Sequence, residues 1–324
     1  MPYLTKVVIA EGRSERVSNL LLSSWSSNTK SAYNSHLKKY MLYCSNHGIS
    51  DPYNASFEQG ADFLAELFEE QGEKYGNIAA ARSALSAILP KREGVSFGKH
   101  PLVSKLIKGI FKERPSLPKH TVVYDTEIIL RYIDSLPFND SLMLDMLTMK
   151  LCTLLAILSG QRVTVLRTDY MHKSQGKVFF YINAILKTTK PNNHKKTLVF
   201  MTYPENKKLC VVQCLEDYLL RTELIKENSC EGNPQLIISH RTPYKPVNPQ
   251  TIARYVLKFL GMAGIDITVF TAHSIRKAST SKANNMGLSL KDIAKAAGWS
   301  NETTFQKFYK QNDNIITLYI SEVC

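Results

Sequence analysis

The stretch L-D-M-L-T-M-K-L-C-T-L-L-A-I-L, residues 144–158, carries apolar side chains almost all the way round at helical spacing. A helix without a polar face has to be enclosed by other elements, so we expect this one at the centre of a hydrophobic core. Its longest apolar run, L-C-T-L-L-A-I-L at 151–158, is far too short to span a bilayer, which takes about 20 apolar residues. The helix is expected to end at S-G-Q-R-V-T-V-L, residues 159–166.

Two β-rich runs follow this helix along the chain. They are K-V-F-F-Y-I-N-A-I-L at 177–186 and K-K-T-L-V-F-M-T-Y at 195–203, and the proline and asparagines of K-T-T-K-P-N-N-H between them indicate a turn. Beyond them the pattern is again helical, with an N-cap at Ser289 and a short last helix beginning near Asn301. The second half is therefore predicted to be mainly α, a mixed α+β domain with one small antiparallel sheet.

The first 115 residues show only helical patterns, followed by a break. The stretch R-P-S-L-P-K-H at 114–120 contains two prolines and cannot continue a helix. We therefore predict a helical domain at 1–117, a linker at about 114–122 and a second domain at 118–324. Four helices are expected in the first domain: about 28–47, Ser56 to Gly72 with a capping box from Ser56 to Gln59, about 77–89, and Pro101 to about Glu113.

The chain is strongly basic. Its 324 residues include 41 Lys and Arg against 28 Asp and Glu, which gives a formal net charge of +13 and a pI near 9.3. A charge of this sign makes a polyanion the first partner to consider, and nucleic acid fits better than an anionic membrane because no apolar run could cross a bilayer. The apolar content of 44% excludes a largely disordered protein. We therefore expect a globular protein that binds double-stranded DNA and has no membrane segment.

The N-terminus and the cysteines bear on the compartment. No basic segment followed by an apolar stretch opens the chain, so we expect no signal peptide and an intracellular protein. The six cysteines lack the spacing of a disulfide framework and are expected to be reduced. Cys210, Cys214, Cys230 and His240 could be drawn as a zinc site, but their spacing matches no standard structural site. A four-residue spacing also fits two small apolar residues on the buried stripe of a helix, so no metal is predicted.

The helix expected at 101–113 is the most basic in the first domain. Its lysines, with Arg114 after them, surround an expected apolar stripe of Leu102, Ile107 and Phe111. Such side chains can contact phosphates, although a charged helix face is as often simply solvated. The candidate DNA-binding residues of the first domain are Lys30, Lys38, Arg82, Lys105, Lys108 and Lys112.

A second basic motif lies in the predicted second domain, in T-A-H-S-I-R-K-A-S at 271–279. His273 and Arg276 are three residues apart at what looks like the start of a helix, so they share a face and can converge on one small anion. Arginine is the side chain suited to gripping phosphate with a fork of donors.

A set of six residues carries a resemblance to a known family. In chain order they are Arg162, Lys187, His273, Arg276, Trp299 and Tyr309, with three residues from His273 to Arg276 and 23 from Arg276 to Trp299. Taken singly, Trp299 and Tyr309 are typical of aromatic packing. In this order and spacing the set resembles the catalytic residues of the tyrosine recombinase, or phage integrase, family. The first domain correspondingly resembles the family's core-binding domain, a SAM-like four-helix fold.

The resemblance implies a metal-independent, ATP-independent and cofactor-free cleavage of DNA. Tyr309 would attack the phosphorus to form a 3′-phosphotyrosine, while Arg162 and Arg276 grip the two non-bridging oxygens. Lys187 would protonate the leaving 5′-oxygen as general acid. His273 would bind the phosphate and help to move the tyrosine proton, and the indole N–H of Trp299 would donate one more hydrogen bond. Lys190, Lys195 and Lys196 crowd the same turn as Lys187 and could take its place.

Two departures from the family pattern stand out. Family members commonly place an acidic residue three positions after the first arginine, where this chain has Val165, and Asp169 could substitute for it. The spacing from Trp299 to Tyr309 is ten, one longer than in many bacterial members. Tyr319 is a rival nucleophile, although the tail at 314–324 looks instead like a segment that packs on a neighbouring protomer. By analogy with the family, we expect a homo-oligomer, a tetramer on paired DNA sites.

Two other functions remain open at this point. A type IB topoisomerase uses the same chemistry but religates the same strand, and a protein descended from a recombinase could have kept DNA binding alone. The stretches A-S-T-S-K-A and W-S-N-E-T-T-F-Q-K-F-Y are most similar to recombinases of eukaryotic mobile elements. If the source is eukaryotic, that resemblance implies a nuclear location.

Overall fold

The computed structural model describes residues 3–6, 14–115, 123–162, 170–182, 189, 196–229 and 235–299. The chain divides into two compact units, Met1–Lys119 and His120–Cys324. Each unit contains its own cluster of buried apolar side chains. The described residues are mainly helical with one small antiparallel sheet, which confirms the predicted fold class.

The first unit is built from helices. They are α1 Glu15–Ser23, α2 Ser27–Asn46, α3 Phe57–Glu69, α4 Tyr75–Ile88 and α5 Pro101–Glu113, with a short 3₁₀ turn at Phe97–Lys99. The last four agree with the predicted helices, and α1 was not anticipated. The capping box of α3 is present, because the Gln59 N–H donates to Ser56 Oγ and the Ser56 N–H donates to Gln59 Oε1. Pro101 stands at the start of α5, as predicted.

The buried face of α5 differs from the predicted apolar stripe. The buried residues of this helix are Val103, Ile107 and Ile110, whereas Leu102 and Phe111 are 41% and 43% exposed. The predicted stripe of Leu102, Ile107 and Phe111 is therefore wrong at two of its three positions. Helical periodicity allows two neighbouring stripes when the apolar residues spread over a wide arc, and packing against the other helices selects one of them.

The second unit is organised around one central helix. Its helices are α6 Glu127–Ser135, α7 Leu144–Ser159, α8 Val211–Ser229, α9 Pro249–Met262, α10 Ser274–Asn285 and α11 Leu290–Ala297, with a 3₁₀ turn at Asn139–Ser141. Helix α7 packs against α8, α9 and α10, and all ten of its residues from Leu147 to Ala156 are buried. This confirms the central position expected of an all-round apolar helix. None of the described helices is both long enough and apolar enough to cross a membrane.

The sheet has three strands in the described residues, in the order β1 Tyr170–Ser174, β2 Lys177–Ile182 and β3 Lys196–Met201, all antiparallel. Strands β2 and β3 correspond to the two predicted runs. Strand β1 was not predicted, because Y-M-H-K-S is too polar to stand out. A two-residue turn joins β1 to β2, with Gln175 and Gly176 both at positive φ (45° and 73°), as in the tightest hairpins.

Two of the three cysteines that suggested a metal site are part of the core. Cys210 and Cys214 are buried and free, and Cys214 lies on α8 where that helix packs against α7. Burial raises the pKa of the Cys214 thiol to about 12, so its neutral form is favoured. Cys230 lies outside the described residues. Within the described part of the chain, no group of three or more His, Cys, Asp or Glu side chains is arranged to hold a metal.

Candidate functional site

The end of α7 is fixed by a glycine. Gly160 caps the helix in the left-handed conformation, with φ of 56°, and its N–H donates to the Ala156 carbonyl. A Cβ atom at this position would lie 3.1 Å from Thr280 Cγ2 on α10 and 3.7 Å from Ala297 Cβ on α11. Both the conformation and the close approach require glycine. The chain therefore leaves α7 at the point where this helix contacts α10 and α11. Arg162 lies two residues after Gly160.

His273 and Arg276 come from the beginning of α10. His273 is the N-cap residue of this helix, and the Arg276 N–H donates to the His273 carbonyl. Ile275 and Ala278 anchor the helix in the core, with exposed fractions of 1% and 2%. The Arg276 side chain is itself only 1% exposed. The helix start that the sequence predicted is thus present, but the arginine is seated in the protein interior.

Trp299 reaches Arg276 from the end of α11. This helix ends at Gly298, also in the left-handed conformation, and the backbone N–H of Trp299 donates back to the Ala294 carbonyl at 2.9 Å. The turn places the indole ring against the Arg276 guanidinium, whose carbon lies 4.6 Å from the ring centroid. A cation over an indole face is attracted by about 0.5–2 kcal/mol, depending on how dry the contact is. Trp299 was predicted to act through its N–H, and the structure assigns its ring face to Arg276.

The pKa of His273 depends on burial and on two nearby arginines. Its pKa is lowered from 6.5, first by burial among protein atoms and then by the positive charges of Arg276 and Arg162. Arg162 is exposed, yet close enough for its charge to act on the imidazole. His273 is therefore neutral at pH 7 in the DNA-free protein. The structure thus brings together Arg162, His273, Arg276 and Trp299.

The other two residues of the predicted set, Lys187 and Tyr309, lie outside the described residues. The same holds for Val165, Asp169, Tyr319, Lys190 and Lys195, and Lys196 is the first residue of β3. Sequence reasoning missed Gln161, which is 3% exposed and whose side-chain amide donates to the Ala296 carbonyl of α11. The signal that could have found it is a polar residue directly between a helix-capping glycine and a site arginine.

The candidate DNA-binding residues of the first unit are mostly accessible. Lys38, Lys105, Lys108 and Lys112 are exposed, whereas Lys30 and Arg82 are half-buried. On α5 the three lysines follow at intervals of three and four residues, so they form one basic face. Arg114 is different. Its guanidinium donates to the carbonyls of Glu73 and Phe68 and lies 4.3 Å from the Phe68 ring centroid, so it stabilises the helix packing.

One surface of the second unit has the opposite charge. A groove of about 620 Å³ lies between β1 and α8. Its lining has four acidic residues, two lysines and two leucines, an acidic excess of two charges: Glu216, Asp217, Glu223, Glu227, Lys173, Lys226, Leu219 and Leu220. Lys173 of β1 forms an ion pair with Glu216 across it, at 2.9 Å. Acidic side chains repel phosphate, so this face is not suited to contacting DNA.

The model of the phage integrase family matches residues 144–314, more than half of the chain. The chain belongs to the phage integrase family. The match runs from the first residue of α7 past Trp299 and contains all six predicted site residues. The family predicted from the motif is therefore confirmed, and the closer resemblance to eukaryotic mobile elements stays a prediction. Among individually curated proteins no match was found.

Solved structures of a site-specific recombinase and of two integrases share the fold. The XerH site-specific recombinase bound to its difH substrate is 14% identical, with a TM-score of 0.57 over 88% of this chain and 76% of that one. The Tn1549 transposon integrase in complex with circular intermediate DNA is 14% identical, with a TM-score of 0.56 over 95% of both chains. A λ integrase dimer bound to a COC′ core site is 17% identical, with a TM-score of 0.50 over 93% of this chain and 95% of that one.

Proposed function

We propose that this integrase-family protein is a site-specific recombinase that cuts and rejoins double-stranded DNA through a 3′-phosphotyrosine intermediate. The observation that carries the proposal is the convergence of Arg162, His273, Arg276 and Trp299 where α7, α10 and α11 meet. These residues come from positions up to 137 apart in the sequence (299 − 162). A shared site explains why all of them also occur in the family's order.

The chemistry assigns a role to each side chain. The Tyr309 oxygen attacks phosphorus, the bond from phosphorus to the 5′-oxygen breaks, and the leaving oxygen takes a proton from Lys187. Arg162 and Arg276 neutralise the charge that develops on the non-bridging oxygens. Because its pKa is lowered, His273 is neutral at pH 7 and can accept the tyrosine proton. The phosphotyrosine bond conserves energy, so a 5′-hydroxyl from a second DNA duplex can reverse the step without ATP.

The burial of Arg276 adds a requirement to this mechanism. At 1% exposure its guanidinium cannot reach a phosphate in the DNA-free protein. We therefore propose that DNA binding is accompanied by a rearrangement that uncovers the guanidinium on the side away from Trp299. The indole would stay in place as the platform under the cation, and its N–H would then be available to the phosphate.

The first unit supplies the remaining grip on DNA. We propose that the 1–117 domain is a core-binding domain, in which Lys30, Lys38, Arg82, Lys105, Lys108 and Lys112 contact phosphates, and that the 118–324 domain is catalytic. The protein would act as a homo-oligomer, a tetramer on two DNA sites linked through the tail at 314–324. Shortening the chain to 1–313 should then abolish tetrameric complexes in light scattering, and their persistence would count against this role of the tail.

The decisive test is covalent trapping on a nicked DNA duplex taken from the flanks of the protein's own gene. Cleavage near the nick releases a short oligonucleotide, so the phosphotyrosine adduct cannot religate and accumulates on a denaturing gel. We expect an adduct with the wild type and with Tyr319→Phe, and none with Tyr309→Phe. An adduct that survives Tyr309→Phe but not Tyr319→Phe would move the nucleophile to the tail. DNA binding without any adduct would favour a retired DNA-binding protein.

The same assay can identify the general acid. Replacing the 5′-bridging oxygen by sulfur gives a leaving group that needs no proton, because a thiol is far more acidic than an alcohol. Lys187→Ala should therefore lose cleavage of ordinary DNA and regain it on the sulfur-substituted strand. Lys190→Ala is the matched control and should behave as the wild type on both. Rapid relaxation of supercoiled DNA without any exchanged product would instead favour topoisomerase activity.

A further inference from the structure

Gln161 connects two parts of the candidate site that are distant in sequence. It stands between the capping glycine of α7 and Arg162, and it is 3% exposed. Its backbone N–H donates to the side-chain oxygen of Ser159, the last residue of α7, at 3.2 Å. Its side-chain amide nitrogen donates to the carbonyl of Ala296, in the last turn of α11.

The Ala296 carbonyl lies in the last turn of α11, where a helix carbonyl takes its hydrogen bond from a side chain or from water. The last carbonyls of a helix have no partner within it. At the end of α11 the N–H groups of Gly298 and Trp299 are directed to the carbonyls of Ala294 and Lys295. The Ala296 carbonyl receives the Gln161 amide, so this side chain completes the cap from which Trp299 emerges.

We propose that Gln161 is a positioning residue, a clamp that fixes the Arg162 segment against the end of α11 and thereby holds Arg162 in register with the Trp299–Arg276 pair. The effect on catalysis rests on the proposed function, but the clamp itself does not. Gln161 precedes Arg162 directly, and Ala296 is three residues before Trp299. Movement at either end of this hydrogen bond would therefore change the separation of Arg162 from the Trp299 ring that lies on Arg276.

The role depends on the amide and not on the volume of the side chain. An apolar residue of similar size could fill the same buried space, but the exposed Ala296 carbonyl would then bond to water, and the link between Gln161 and α11 would be lost. Gln161→Met keeps the length and loses the donor. Gln161→Glu keeps the shape and loses the donor only while the carboxyl is ionised, since a protonated carboxyl can again donate.

The test that does not depend on activity uses Trp299 as its own probe. The chain has two tryptophans, and Trp25 lies in the first unit, so a Trp25→Phe background isolates Trp299. In this background we expect Gln161→Met to increase the quenching of Trp299 by acrylamide about twofold, because the ring loses its fixed stack over Arg276. Quenching equal to that of the parent would overturn the clamp. Thermal unfolding of the same samples verifies that the fold is intact.

Two further measurements complete the test. Single-turnover cleavage by Gln161→Met should fall about tenfold at unchanged DNA affinity, the effect of one lost hydrogen bond in a catalytic arrangement. Gln161→Glu should show parent-like quenching near pH 5 and raised quenching near pH 8, and this reversal within one variant serves if Gln161→Met fails to fold. A cleavage rate within twofold of the parent, or a Glu variant without pH dependence, would refute the role. A parent protein that never cleaves DNA would refute the proposed function, while quenching would still decide the clamp.

Discussion

The two candidate site arginines are held in contrasting ways. Arg276 belongs to a regular helix, is 1% exposed and lies against the Trp299 ring. Arg162 is exposed and lies two residues after Gly160, outside α7. Arg276 derives its position from the hydrophobic core under α10. Arg162 depends on two local contacts, the close packing of Gly160 and the hydrogen bond of Gln161. One half of the site is thus built into the fold, and the other is attached to it.

The largest effects are expected when each guanidinium is removed and the cleavage rate and the unfolding free energy are measured. Arg276→Ala should lower the rate of DNA cleavage by about 10³-fold, the scale of losing a preorganised donor to a developing oxyanion. It should also destabilise the second unit by about 2 kcal/mol, because it empties a buried site and removes the stack on Trp299. Single-turnover cleavage and urea unfolding measure the two effects.

Arg162→Ala is the matched variant. Its effect on cleavage should be of the same order, but its unfolding free energy should stay within about 0.5 kcal/mol of the wild type, because the side chain is exposed. Equal losses of stability in the two variants would show that Arg162 contributes as much to the fold as Arg276 and would contradict this comparison.

The attachment of the Arg162 segment can be tested at Gly160. Gly160→Ala should destabilise the protein by about 2 kcal/mol for two reasons. It forces an alanine into the left-handed conformation, and it places the new methyl group 3.1 Å from Thr280 Cγ2. Urea unfolding measures this, and adding Thr280→Ser should restore part of the loss because it removes the clashing methyl. Gly287→Ala is the control, with φ of 88° and no atom within 4 Å of the added Cβ. A Gly160 variant no less stable than the Gly287 variant would show that the close approach is not constrained.

The same contrast explains what the sequence could predict. The central position of α7, the Ser56 capping box and the start of α10 follow from local pattern and hydrogen bonding, and each was predicted. The family was recognisable because six residues stand in the order and spacing of its catalytic set. The burial of Arg276 and its contact with Trp299 could not be predicted, because they depend on how α10 and α11 pack. Helix α1 and strand β1 were missed because short segments carry little periodicity. The Gln161 contact spans 135 residues, beyond any local rule.

The smallest expected effect is the titration of His273, which lies beside both arginines. Burial and the two guanidinium charges lower its pKa from 6.5, so the folded protein resists protonation at this site, whereas the unfolded chain takes up the proton as pH falls through 6.5. A bound phosphate offsets those charges and favours the imidazolium, so DNA binding should raise the pKa. Binding near pH 6 should then be accompanied by uptake of a fraction of a proton, and binding at pH 8 by none.

Calorimetric titration with DNA, in buffers of different ionisation enthalpy, measures this uptake. His273→Gln should remove it. His36→Gln is the informative control, because the pKa of His36 in the first unit is also lowered, chiefly by burial. If the uptake disappears with His36→Gln and persists with His273→Gln, then the phosphate does not approach the two arginines. The comparison between Arg276 and Arg162 would then describe the stability of the folded protein and not a catalytic site.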